Sequence, residues 1–181
     1  RGFQESVWYP SSSIPSVPSY WGNDYFDDVY IHNGTEEQFS GYCTDVFFAE
    51  AKAFIKKSVA ANKPFMCYLA TNTPHGPFNP KPEDRDVITK RLADPQFEHL
   101  DKKLKNQLAN YLGMIVNIDA NMGSLLAFLD DEDLADKWVE KSVEFIEDHQ
   151  KEPFFLFFSS HDIHVPRMPH ERFQGKTSLG Y

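Results

Sequence analysis

The sequence predicts an α/β chain with a mainly parallel sheet flanked by helices. Two observations carry that prediction. Residues 64–71 and 153–160 are short, nearly all-apolar runs, each preceded by an amphipathic helical pattern. Strands buried on both faces of a parallel sheet have this composition. Each run leads into a polar loop with a His-x-Pro triplet, His75-Gly76-Pro77 and His164-Val165-Pro166. A hydrophobic content of 41% against 25% charged residues in 181 supports a packed core and argues against general disorder.

Residues 1–43 are rich in Ser, Pro, Tyr and Gly, and the prolines at 10 and 15 rule out helix between them. A long loop region with short strands is expected there. Asn33-Gly34-Thr35 fits a glycosylation sequon. From 44 to 60, Phe47, Ala51, Phe54 and Ile55 recur at helical spacing, with Lys56 and Lys57 in the last turns, where cations suit the helix dipole. The apolar run 64–71 then reads as a buried strand, and 72–78 as a turn-rich loop. Residues 79–99 are charged and contain proline, and read as a surface excursion. A long helix follows from about Leu100, with Leu104, Leu108, Leu112, Ile115, Met122, Leu125 and Leu129 as its apolar seam. Gly113 and Gly123 interrupt that seam and point to close packing or a break.

The same grammar then returns. Residues 132–149 form a second helical pattern with Leu134, Trp138, Phe145 and Ile146 on one side. Residues 153–160 read as a second strand and 161–166 as a second histidine loop. In alignment Asp45 meets Asp136, Phe54-Ile55 meets Phe145-Ile146, Pro64-Phe65 meets Pro153-Phe154, His75 meets His164, and Pro77 meets Pro166. This supports internal duplication. The competing reading is that many α/β units share helix, apolar strand and polar loop.

A formal net charge of −9 argues against nucleic acid or an anionic membrane as partner. The two cysteines, Cys43 and Cys67, lack paired zinc-site spacing and read as buried or half-buried thiols. The chain starts at Arg1 without a signal-peptide pattern, and no apolar stretch in it nears the ~20 residues of a membrane span. In open α/β sheets ligands bind beyond the carboxyl ends of the strands, where both histidine loops are expected. An imidazole there can donate to an oxyanion or shuttle a proton. It can equally bond a nearby carbonyl and fasten its own loop.

Several segments resemble those of an arylsulfatase: Arg1-Gly2-Phe3, Tyr20-Trp21-Gly22-Asn23-Asp24-Tyr25-Phe26-Asp27-Asp28, Gly41-Tyr42-Cys43-Thr44-Asp45 and Ala70-Thr71-Asn72-Thr73-Pro74-His75-Gly76-Pro77-Phe78. Residues 111–123 resemble the long helix that follows in that family, and 153–166 resemble the family segment already matched by 44–78. The resemblance therefore implies two overlapping pieces joined near Asp131, 1–131 and 132–181. It implies a partial alkaline-phosphatase-like fold and the hydrolysis of sulfate esters. It implies a sulfated small molecule or polysaccharide as partner, and a family often periplasmic or secreted. By position, the substrate-binding histidine of the family falls on His75 and His164. The family also uses a formylglycine made from Cys or Ser, and a calcium ion that polarises the sulfate.

This sequence departs from that pattern. Neither Cys43 nor Cys67 is followed by proline two residues on and arginine four on. Asp27-Asp28 lies in an aromatic, polar loop rather than at the end of a strand, so the family's metal role is not carried over to it. After the long helix the family's Asp-Asn-Gly strand is replaced by the second helix. No complete catalytic set, no metal ligands and no cofactor are expected for this chain, and the isolated chain is expected to be inactive. Two alternatives remain: a non-catalytic module binding carbohydrate or sulfate, and a phosphodiesterase or phosphonate hydrolase of the same superfamily.

Overall fold

The computed structural model describes residues 2–11, 13–14, 20–131 and 134–151. The chain divides into two units, Arg1–Leu126 and Ala127–Tyr181.

In the first unit β1 (Val7–Trp8), β2 (Val29–His32) and β3 (Thr35–Gln38) form an antiparallel sheet in that order. The β2–β3 hairpin pairs Val29 with Gln38 and His32 with Thr35. Asn33 and Gly34 make its two-residue turn with φ of 51° and 89°. Asn-Gly suits such a turn, because two successive positive φ values match the twist of the strands. Helix α1 (Cys43–Ala60) is the one expected over 44–60. Its Val46, Phe47, Phe48, Ala51 and Ile55 are buried, as the helical spacing requires. Phe47 meets Tyr30 with ring centroids 4.9 Å apart, so the aromatic core lies between the small sheet and α1. Ile14, Tyr25, Tyr42, Cys43 and Met114 complete that core.

Residues 79–99 are not simply a surface excursion. They contain α2 (Pro82–Arg91), whose Ile88, with Leu92 just beyond it, packs against Ala109 of α3 (Lys102–Asp131). Few of the residues of α2 are apolar, so periodicity hides it. Its end signals are nevertheless present: Pro82 at the first position, Glu83 and Asp84 in the first turn, and Lys90 and Arg91 in the last. Gly113 of α3 lets the α2 segment approach closely, since a Cβ there would stand 3.0 Å from the Arg85 Cα. No such neighbour surrounds Gly123. Contrary to the sequence expectation, α3 is long and apolar enough to cross a membrane by length and composition. That is weak evidence by itself, and in the first unit α3 packs on α2 through Ala109 and bonds to α1 through Asn117.

The expected mainly parallel sheet is not formed among the described residues. Residues 64–71 take no regular secondary structure. Met66 is 70% exposed and Tyr68 78%. Phe65 meets Phe54 edge-on at 5.9 Å and Leu69 packs on the core, so only one side of the run touches the body of the unit. The physical reason is pairing: a strand is stabilised by a hydrogen-bonded neighbour, and no described strand lies alongside this run. The second run, 153–160, lies outside the described residues. In the second unit, α4 (Leu134–His149) accounts for the second helical pattern, and His149 Nδ1 lies 2.9 Å from the Phe145 carbonyl.

Candidate functional site

His75 sits exposed in the loop after the 64–71 run. Its Nδ1 donates to the Gly76 carbonyl at 2.6 Å, so a neutral ring carries its proton there and leaves Nε2 as an acceptor with no partner among the described residues. The loop itself is held from several sides. The Asn72 side chain accepts from the Ile14 amide at 2.9 Å and donates to the Ile14 carbonyl at 3.0 Å. The hydroxyls of Thr73 and Thr44, both buried, lie 2.6 Å apart. The Tyr25 phenol donates to the His75 carbonyl at 2.9 Å, and the Tyr42 phenol donates to the Asn79 carbonyl at 3.0 Å. Asn79 Nδ2 donates to the Asp24 carbonyl at 2.7 Å.

Burial explains why these phenols act as donors. It pushes Tyr25 up to about 12, and Tyr42 higher still, so both stay protonated at neutral pH. In the first turn of α1, Asp45 accepts from Asn117 Nδ2 at 2.8 Å, Asn121 Nδ2 at 2.6 Å and Lys81 Nζ at 3.1 Å. Burial raises the pKa of this carboxyl, but the three donors outweigh it and hold the group below the usual carboxylate range. Asp45 thus ties the end of the histidine loop and α3 to the start of α1.

The remaining sequence candidates fall elsewhere. Cys43 is buried and its thiol is pushed up to about 12 by burial, which makes it a poor nucleophile. Cys67, expected to be at least half-buried, is exposed, because the run that carries it has no strand beside it among the described residues. Asp27 accepts from the Gly41 amide at 2.7 Å and the Ser40 hydroxyl at 3.0 Å. Asp28 accepts from the Asp24 amide, the Tyr25 amide and the Tyr30 phenol. Both carboxylates hold their own loop together. Among the described residues no group of three or more His, Cys, Asp and Glu side chains is placed to hold a metal ion. A calcium site of six to eight oxygens has no fitting ligand set among them. His164 lies outside the described residues. A groove of about 750 Å³ runs between residues 3–9 and 66–72, lined by Trp8, Phe54 and Tyr68 among others, and His75 does not line it.

Sequence reasoning did not single out Tyr25, Tyr42, Asn72, Thr73 or the Asp45 cluster as anchors. Only Asn117 and Asn121 gave a signal, as two amides one turn apart in an apolar helix.

A sulfatase family model matches residues 2–139 of the chain. The N-acetylgalactosamine-6-O-sulfatase of Bacteroides thetaiotaomicron is 50% identical over 58 residues, 32% of this chain and 11% of that protein. Among solved structures, Ps i-CgsB is 32% identical, with 59% of this chain and 21% of that chain covered and a TM-score of 0.47. The same values hold for its complex with k-i-k-neocarrahexaose. The chain thus spans about a tenth of the curated relative and a fifth of that structure.

Proposed function

The chain belongs to the sulfatase family, and we propose on that basis that it is a segment of a sulfuric ester hydrolase that contributes a histidine to the sulfate site. The family's activity is sulfate ester hydrolysis. The observation that carries the reading is the His75 loop, which lies inside the family match and presents the imidazole Nε2 from a firmly bonded backbone. When protonated, that nitrogen donates to a sulfate oxygen, and when neutral it accepts a proton. His164 takes the same role in the second copy. The relative from Bacteroides thetaiotaomicron suggests a sulfated sugar as the substrate class. In the longer protein, residues 64–71 would form a strand of a mainly parallel, alkaline-phosphatase-like sheet, which would account for a bare apolar run. Calcium and formylglycine would be supplied by residues other than those described.

The isolated chain is proposed to be inactive, because removing one essential group commonly costs several orders of magnitude in rate and here several are missing. Assay of the purified 181 residues against an aryl sulfate, with and without calcium, is expected to give no turnover above buffer. Calcium-dependent turnover that survives rigorous purification would overturn this. The second reading, a non-catalytic saccharide-binding module, draws on one observation: Phe3, Trp8 and Tyr68 are exposed aromatic rings along one groove. Quenching of tryptophan fluorescence by a sulfated oligosaccharide, lost in Trp8→Ala, would favour it.

A further inference from the structure

We propose that Tyr25 is a positioning residue for His75, fixing through the backbone the tautomer and direction of the imidazole; its sulfate readout rests on the reading of His75 as an anion-site histidine. The Tyr25 side chain is fully buried, and its phenol donates to the His75 carbonyl at 2.9 Å; the Asn72 side chain bonds the same phenol. That carbonyl belongs to the peptide joining His75 to Gly76. The next carbonyl, that of Gly76, is the acceptor that holds His75 Nδ1 at 2.6 Å. The phenol therefore fixes the peptide plane lying between the histidine Cα and the atom that orients the ring. Gly76 has no side chain of its own to restrain that plane. The Tyr25 ring stacks on Tyr42 with centroids 6.2 Å apart and planes 22° apart. Tyr42 in turn holds the Asn79 carbonyl at 3.0 Å, so two stacked phenols bracket the stretch from His75 to Asn79. Both are fastened to the start of α1, where the Cys43 amide donates to the Tyr25 carbonyl at 2.8 Å. A core aromatic with only a packing role needs no hydroxyl, and Phe would serve there. A buried hydroxyl that meets a functional loop at one carbonyl does more than fill space.

The test compares the full chain with Tyr25→Phe, using histidine ¹⁵N signals to read the His75 tautomer and inorganic sulfate as the probe. Circular dichroism checks that the helices persist. Wild type is expected to show a single tautomer protonated at Nδ1. Tyr25→Phe is expected to lose that preference and to weaken the sulfate-induced shift roughly 2- to 10-fold, the equivalent of one hydrogen bond. A folded Tyr25→Phe with an unchanged tautomer overturns the proposal, whatever sulfate does. A wild type that ignores sulfate overturns the anion reading alone, since the tautomer comparison does not depend on it. Should Tyr25→Phe not fold, the wild-type nuclear Overhauser effect between the Tyr25 hydroxyl proton and the Gly76 amide decides: its presence supports the contact and its absence overturns it.

Discussion

Two neighbouring stretches of this chain exchange the places that their compositions suggest. Residues 72–81 are polar and proline-rich, yet they are held by bonds to Ile14, Asp24, Tyr25, Tyr42, Thr44 and Asp45. Residues 64–71 are apolar and lie largely bare, with Tyr68 78% exposed. The difference lies in where each stretch finds its partners. Side-chain bonds to a loop are made one at a time, and every partner of 72–81 lies within the first unit. A β-ladder needs a whole second strand alongside, and none is described there. Hydrophobicity specifies that a run requires a neighbour; it does not specify where that neighbour lies.

Four measurements sharpen or break this contrast. The largest effect is expected from Asp28→Ala, which strips the acceptor from two amides and the Tyr30 phenol in a buried site. A loss of roughly 3 kcal/mol or more in urea unfolding is expected, and a change under 1 kcal/mol would show that the polar framework carries little. Next comes Thr44→Val, which keeps the shape but leaves the buried Thr73 hydroxyl without its 2.6 Å partner. It should cost about 1–3 kcal/mol by the same measurement.

A smaller, graded effect is expected with alkaline pH. The Tyr25 pKa is raised in the fold from 10.0 to about 12, so its contribution is fully present below pH 10 and is lost as pH rises towards 12. Tyr30 and Tyr42 are raised by burial in the same sense and add to the loss. Tyr25→Phe should flatten part of that decline; a decline of unchanged steepness would assign it elsewhere. The smallest effect is expected from Tyr68→Ser, within about 0.5 kcal/mol, because an exposed ring contributes little to folding. A loss of several kcal/mol would mean that the run is covered in solution and would end the contrast.

What could be read from the sequence follows from the same physics. Helices α1 and α3 announce themselves because a helix repeats its signal every turn. The Asn33-Gly34 turn is passed over as a glycosylation sequon, although few residue pairs accept two positive φ values. Helix α2 was hidden by its charge, although its Pro82 start and Arg91 end were both written correctly. The resemblance named His75 as a candidate, but not its surroundings. Tyr25 reaches it across 50 positions and Asn72 reaches Ile14 across 58. Such anchors are single polar residues without periodicity, and no local window contains both partners.

Gly113, Asn117 and Asn121 lie four residues apart on one stripe of α3. The glycine faces the Arg85 backbone and both amides meet the same oxygen of Asp45. The stripe works as a rotational index. Each residue advances a helix by about 100°, so one residue inserted before Asn117 would swing both amides away from the carboxylate while Gly113 kept its place. An insertion of seven would return them to within about 20° in angle, but two turns further along the axis, out of reach. The helix therefore has one rotational setting and one axial setting on α1, and it cannot drift in either without releasing Asp45.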